Sequence, residues 1–302
     1  MHEFFNTHPI LPFAVIFFNS TAYFPVVFLI IVVQKTPLHS NCKYLFTAWL
    51  CGYVVLFTIN ILMALVALKD EHGYLAQSIR NPPQREILYG LCASCSIYCS
   101  ISEISLAVER IIATADPEVY HRRKLAKRVL IPLTIFLIDF SFLIGRLAYQ
   151  WNEFEIAGTF LLFCDVMTIV TNALSVKYNR QRFKEAFDNL NAKYQAKEAF
   201  QLSSAMQPIY IVIFCMKFVI VISAVICLGM NDPFFNGYNE AFYTTVTAIY
   251  ASIIAIMLIK NHPQLLKQAR LILGIRISVA PLQSRNICYT QDHFKSLESY
   301  WN

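Results

Sequence analysis

"PIYIVIFCMKFVIVISAVICLGM", residues 208–230, decides the fold. Lys217 is the one charged residue in it, and its length meets the roughly 20 apolar residues a helix needs to cross a bilayer. Comparable runs occupy about 9–33, 44–68, 87–113, 129–149, 155–176 and 241–260. Over 302 residues the chain is 57% hydrophobic and 15% charged, where a soluble domain carries about a quarter charged residues. Its mean hydropathy is +0.49. Phe (24) and Tyr (16) are abundant and Gly (8) is scarce, which argues against disorder and against a nucleotide-binding α/β fold. The expectation is an all-α membrane protein: a single bundle of seven transmembrane helices over 1–302, with the lipid bilayer as its surroundings.

Orientation follows from the basic residues of the connections, because Lys and Arg are retained on the cytoplasmic side. The segments 34–43, 114–128, 177–207 and 261–302 together hold 18 of them, and 1–8, 69–86, 150–154 and 231–240 hold 3. The N-terminus is therefore expected outside and the C-terminus in the cytoplasm, with the first span serving as its own insertion signal. Two polar stretches look helical. Residues 177–204 repeat Phe183, Phe187, Leu190 and Tyr194 at three- and four-residue intervals and should extend the fifth or sixth span into the cytosol. After Pro263, residues 264–276 place Leu265, Leu266, Ala269, Ile272 and Leu273 on one face, which suits an amphipathic helix lying on the inner membrane surface.

The nine cysteines fall mostly inside apolar runs, without metal-ligand spacing, and read as small packing residues. The seven histidines are scattered among connections and termini. No GxxxxGK[ST], HExxH, GxSxG or glycine-rich dinucleotide turn is present. No enzyme activity, catalytic residue, metal or cofactor is expected. The basic run "RRKLAKR" (122–128) fits inner-leaflet or protein contacts, and no nucleic acid is expected.

The third span ends in "SLAVERIIATADP" (105–117), with an acid and a base adjacent at Glu109 and Arg110. An arginine there can snorkel to the headgroups beside an offsetting carboxylate. The stretch as a whole, with Pro117 seven residues past Arg110 and Tyr120 in the basic connection that follows, resembles the end of the third helix in rhodopsin-like G-protein-coupled receptors. Together with "LAVERIIAT", "LNAKYQAKEAFQL" (190–202) and "NHP" (261–263), the chain resembles the nematode serpentine chemoreceptors, most closely the class epsilon (Sre) group. The resemblance implies a chemosensory, olfactory receptor in the plasma membrane of sensory neurons. It would bind an external small-molecule ligand and signal to a cytoplasmic heterotrimeric G protein. It also implies that Glu109, Arg110, Pro117 and Tyr120 form the coupling switch, with 114–128 and 177–207 as the docking surface. The chain departs from rhodopsin-like receptors in three places. No cysteine occupies 150–154, "CMKF" (215–218) lacks their Trp and Pro, and "KNHPQLL" (260–266) lacks the Tyr of their seventh-helix motif.

Ionisable residues inside spans are costly and default to functional roles. At about 1.5 Å per residue, Glu103 sits ~10 Å above Arg110 and Lys217 ~14 Å above Pro208, so the two share a level. A Glu103–Lys217 contact is expected as a resting-state latch. Asp139 and Asp165 lie near mid-membrane and could line the floor of an outward-facing pocket that takes a cationic or hydrogen-bonding ligand. Alternatively, Asp139 bonds Ser141 and Asp165 faces Asn172. Phe13, Phe17, Tyr89, Phe160, Tyr238 and Phe242 would offer aromatic contacts to a small odorant. Two other classes fit seven spans: a ligand-gated channel subunit of the insect chemoreceptor type, whose N-terminus lies inside, and a small-molecule transporter, which would need broken helices.

Overall fold

The computed structural model describes residues 10–69, 83–115, 129–150, 154–184, 190–229 and 233–275. These form α1 (Ile10–Lys35), α2 (Ser40–Lys69), α3 (Pro83–Ala115), α4 (Ile131–Gln150), α5 (Phe154–Lys184), α6 (Leu190–Gly229), α7 (Pro233–Asn261) and the short α8 (Pro263–Ile272). No strand occurs among the described residues. Among the described residues, six helices are long and apolar enough to cross a membrane: α1 and α2 in full, and the greater part of α3, α5, α6 and α7. α4, 20 residues long, falls on the expected fourth span and is not one of the six. Helix continues past the expected ends of both the fifth and the sixth span, since α5 runs on to Lys184 and α6 begins at Leu190.

Neighbouring helices pack in chain order, and α1 closes on α7. α3 packs against α2, α4, α5 and α6, so it occupies the middle of the bundle. The apolar window of α3 is 61% buried, against 28% in α5 and in α6. Lipid offers no hydrophobic drive between helices, so close contact rests on shape and on small or polar side chains. α2 supplies the largest block of the core: Phe46, Trp49, Tyr53 and Phe57 follow one another along one face with centroid spacings of 6.0, 5.6 and 6.3 Å, the first two contacts edge-on and the third tilted. Gly52 lies under the Tyr98 ring, where a Cβ would come within 2.9 Å. Gly145 of α4 lies against Ser94 of α3, whose backbone nitrogen would stand 3.0 Å from an added Cβ.

α8 starts and stops for local reasons. His262 is extended (φ −103°, ψ 114°), its side chain accepts the Leu265 N–H, and Pro263 opens the first turn. Gly274, at φ 68°, closes the helix in the left-handed conformation glycine tolerates, and Ile275 N–H returns to the Arg270 carbonyl at 2.9 Å. Leu265 and Ala269 are buried against the bundle while Leu271, Leu273 and Ile275 are exposed. The expected apolar face is thus split between a packed side and an open side. The expected end at 276 lies outside the described residues.

Candidate functional site

Two buried polar clusters hang on α3. Its inward face repeats Cys92, Ser96, Ser100, Glu103, Ala107 and Arg110 at three- and four-residue intervals, and all six are buried. Halfway along, Lys217 of α6 reaches in and donates from Nζ to Ser100 Oγ at 2.7 Å and to Asp165 Oδ1 of α5 at 2.7 Å. Glu103 Oε2 lies 3.6 Å from the same ammonium. Glu103 Oε1 accepts from Trp49 Nε1 at 3.2 Å and from Tyr53 OH at 3.1 Å, both on α2. Tyr210 of α6 donates to the Glu103 carbonyl at 3.4 Å. Tyr250 of α7 meets the Tyr53 ring edge-on at 6.2 Å. The three ionic side chains are 1%, 2% and 8% exposed for Glu103, Asp165 and Lys217. One ammonium therefore cross-links α3, α5 and α6, and the carboxylate of α3 is further held by α2. Asp165 Oδ2 has no hydrogen-bond partner. Two carboxylates face one ammonium, so the cluster depends on that cation.

The second cluster closes the end of the bundle that carries α8. Arg110 and Glu109 are 4% and 7% exposed, and the guanidinium is paired with the neighbouring carboxylate. Glu198 of α6, 2% exposed, and His262 at the α7–α8 junction both lie within electrostatic reach of Arg110. Glu198 Oε1 accepts the backbone N–H of His39, in the short α1–α2 connection, at 3.0 Å. The first turns of α6 are thereby tied across the mouth. The space beside Arg110, lined by Phe46, Leu106, Asn172, Leu202, Met206 and Tyr210, measures ≈ 10 Å³, at the lower limit for a single water. A polar seam between α5 and α6 adds to the closure. Asn172 Nδ2 donates to Ser203 O at 3.0 Å and to Gln207 Oε1 at 2.6 Å, and Asn179 Nδ2 donates to Ser203 Oγ at 3.1 Å. Burial, and then the charge of Arg110, lower the pKa of His262 from 6.5 to about 4. Its Nδ1 is free to accept only while the imidazole is neutral, so the α8 cap requires the neutral form.

The residues singled out in the sequence divide as follows. Glu103 and Lys217 come together, but the shorter contact of Lys217 is with Asp165. Asp165 therefore sits in the ionic cluster and does not face Asn172, whose amide is taken up by α6. Asp139 stands apart from all of these. Leu137, Ser141 and Gly145 turn the opposite side of α4 toward the bundle, and Asp139 is exposed. Ser141 bonds the Leu137 carbonyl at 2.6 Å, not Asp139. Phe13, Phe17 and Tyr238 are also exposed and line no interior space. Pro117 and Tyr120 lie outside the described residues. Sequence reasoning did not pick out Glu198, Trp49, Tyr53 and Ser100. For α5 a signal was available: Asp165, Thr168, Asn172, Ser175 and Asn179 form a polar stripe at three- and four-residue spacing, and all five are buried.

Long apolar helices around a buried ionic core define an all-α membrane protein. No family model matches the chain, and no curated protein matches it.

Proposed function

We propose that the chain is a seven-span receptor that binds an external small-molecule cue and signals to a cytoplasmic heterotrimeric G protein, with α4 as its fourth crossing. The resemblance to nematode serpentine chemoreceptors and the excess of basic residues on one set of connections support this reading. On this reading Arg110 and α8 face the cytoplasm and the receptor belongs to the plasma membrane of sensory neurons. One observation carries the reading furthest: Arg110 is buried, held by Glu109, and faced by Glu198 from the first turns of α6. Such an arrangement is a closed resting state. A ligand that binds the open state better shifts the population toward it, α6 moves off, and Arg110 becomes available to the G protein. The Lys217 cluster ties α6 to α3 and α5 midway between the two ends and couples them.

The test needs no ligand. In cells carrying a promiscuous G protein, Glu198→Ala should raise basal signalling several-fold at equal surface expression. Adding Arg110→Ala should return it to background. A Glu198→Ala chain that reaches the surface and leaves the basal signal unchanged would refute the closed-state role of Glu198. Undiminished signalling in the double variant would remove Arg110 from coupling.

A further inference from the structure

A groove of ≈ 280 Å³ opens between α6, near its start, and the first turns of α8, lined by Lys197, Glu198, Gln201, Pro263, Gln264 and Lys267. Small-molecule sites run from about 300 Å³ upward, so the groove has the size for a compact headgroup. Its level follows from the apolar spans on either side. That of α6 begins at Ala196, just before Lys197, and that of α7 ends at Asn261, just before Pro263. The groove therefore lies where the bundle leaves the hydrocarbon and enters the headgroups. The exposed Leu271, Leu273 and Ile275, on the open side of α8 and the turn after it, suit the same boundary. Its polar groups lack partners of two kinds. Lys197 and Lys267 are exposed and make no hydrogen bond or ion pair among the described residues. Glu198 is 2% exposed. Its Oε1 accepts the His39 N–H and Arg110 acts on the carboxylate from the interior, but Oε2 has no hydrogen-bond partner. Gln264 Oε1 is a second buried acceptor without a donor, whereas most buried polar atoms have a partner.

We propose that this groove is a binding site for the headgroup of phosphatidylserine. The charges select the occupant. The groove presents two cations, Lys197 and Lys267, and one carboxylate, Glu198. The phosphoserine headgroup presents the inverse, two anions and one ammonium. Its phosphate and carboxylate pair with the two lysines, and its ammonium supplies the donor that Glu198 Oε2 and Gln264 Oε1 lack. Other headgroups complement only part of the pattern. Phosphatidylglycerol has no ammonium for Glu198, and phosphatidylethanolamine has no second anion for the lysines. A polyphosphoinositide sets several negative charges beside Glu198 with no cation to offset them. A headgroup seated here joins α6 to α8, so it favours the arrangement in which the two stay together. The assignment rests on the receptor reading only for the leaflet: this end then faces the cytoplasm, on the side where anionic phosphatidylserine gives the membrane its negative surface.

The experiment is native mass spectrometry of the full-length chain released from phosphatidylcholine nanodiscs that also hold phosphatidylserine, phosphatidylglycerol, phosphatidylethanolamine or a polyphosphoinositide. Wild type should retain phosphatidylserine several-fold more than each of the others at equal mole fraction. Lys197→Gln/Lys267→Gln, both at exposed positions, should lower that retention by about 30-fold, at about fivefold per lysine beside an anionic surface. Lys69→Gln, exposed at the far end of α2, should leave it unchanged. Glu198→Gln should hold phosphatidylglycerol at least as well as wild type does and lose the preference for phosphatidylserine over it. Equal retention of these two lipids by wild type overturns the proposal, as does a preference that survives the double lysine variant. Tighter retention of the polyphosphoinositide also overturns it, leaving a basic patch that reads charge alone. Glycerophosphoserine in the buffer should not displace the lipid; displacement at equal concentration would assign the site to a soluble phosphate instead. Both leaflets of a nanodisc carry the added lipid, so the result is independent of topology and of G-protein coupling. Basal signalling of Glu198→Ala in cells fails or succeeds separately and keeps the receptor reading distinct.

Discussion

Replacing Lys217 by Met is the sharpest perturbation of the buried cluster. At an effective dielectric of about 20, a unit pair at 2.7 Å attracts by about 6 kcal/mol and one at 3.6 Å by about 5 kcal/mol. The Asp165 contact is also a hydrogen bond to a charged group, adding about 1.5–3 kcal/mol. These gains are offset by desolvation, so the net cost is better taken from buried pairs that lose one partner, about 3–5 kcal/mol. After the substitution Glu103 keeps its Trp49 and Tyr53 donors, while Asp165 loses its one hydrogen bond. The order of effects follows. Lys217→Met should be the most damaging single change, and Asp165→Leu, which leaves a balanced Lys217–Glu103 pair, much milder. The double variant Lys217→Met/Asp165→Leu should be more stable than Lys217→Met alone. In a double-mutant cycle, the coupling of Lys217 to Asp165 should exceed its coupling to Glu103 by about 2 kcal/mol. Reversible unfolding in mixed micelles with a titrated denaturing detergent gives these free energies directly. A Lys217→Met protein as stable as wild type, or a larger coupling to Glu103, would refute the reasoning.

Two further changes isolate single contacts. Gly145→Ala should destabilise by about 1–3 kcal/mol, because its Cβ meets the Ser94 backbone at 3.0 and 3.1 Å. Gly90→Ala, with nothing within 4 Å of its Cβ, should instead stabilise by up to about 1 kcal/mol from helix propensity. The same detergent titration reads both. His262 predicts a pH dependence. Its folded pKa of about 4 lies below the unfolded value of 6.5, so between the two the unfolded chain holds the extra proton. Stability present above pH 6.5 should therefore fall by about 3 kcal/mol as the pH drops to 4. His262→Asn keeps a capping side chain and should remove that part of the slope in thermal unfolding from pH 7 to 4. A slope identical to wild type would show that the imidazole does not titrate as described.

The apolar runs made the helices legible in the sequence, because length and composition suffice to mark a span in lipid. Depth arithmetic likewise brought Glu103 level with Lys217, since rise per residue is fixed once the span ends are known. Facing is another matter. α4 is apolar on nearly every side, and its rotation is set by Gly145 fitting against Ser94, a contact between helices that no local pattern announces. The sequence therefore leaves Asp139 open to lining a pocket floor or bonding Ser141, whereas its side chain is exposed on the outside of α4. In α5 the facing was written in the sequence, as the polar stripe from Asp165 to Asn179, but it becomes meaningful only when α6 offers Ser203 and Lys217 opposite. Glu198 was hidden for a different reason. It sits in a charged stretch that reads as solvated helix, and the backbone N–H that it accepts, from His39 in the α1–α2 connection, is some 160 residues away in the chain.

The receptor account depends first on which side of the membrane Arg110 faces. An epitope added before residue 1 and another inserted at the connection around Tyr120, probed by antibody on intact and then permeabilised cells, decide it in one assay. The account predicts that the first is stained on intact cells and the second only after permeabilisation. The reverse pattern would put the arginine end of α3 outside and contradict G-protein coupling through it.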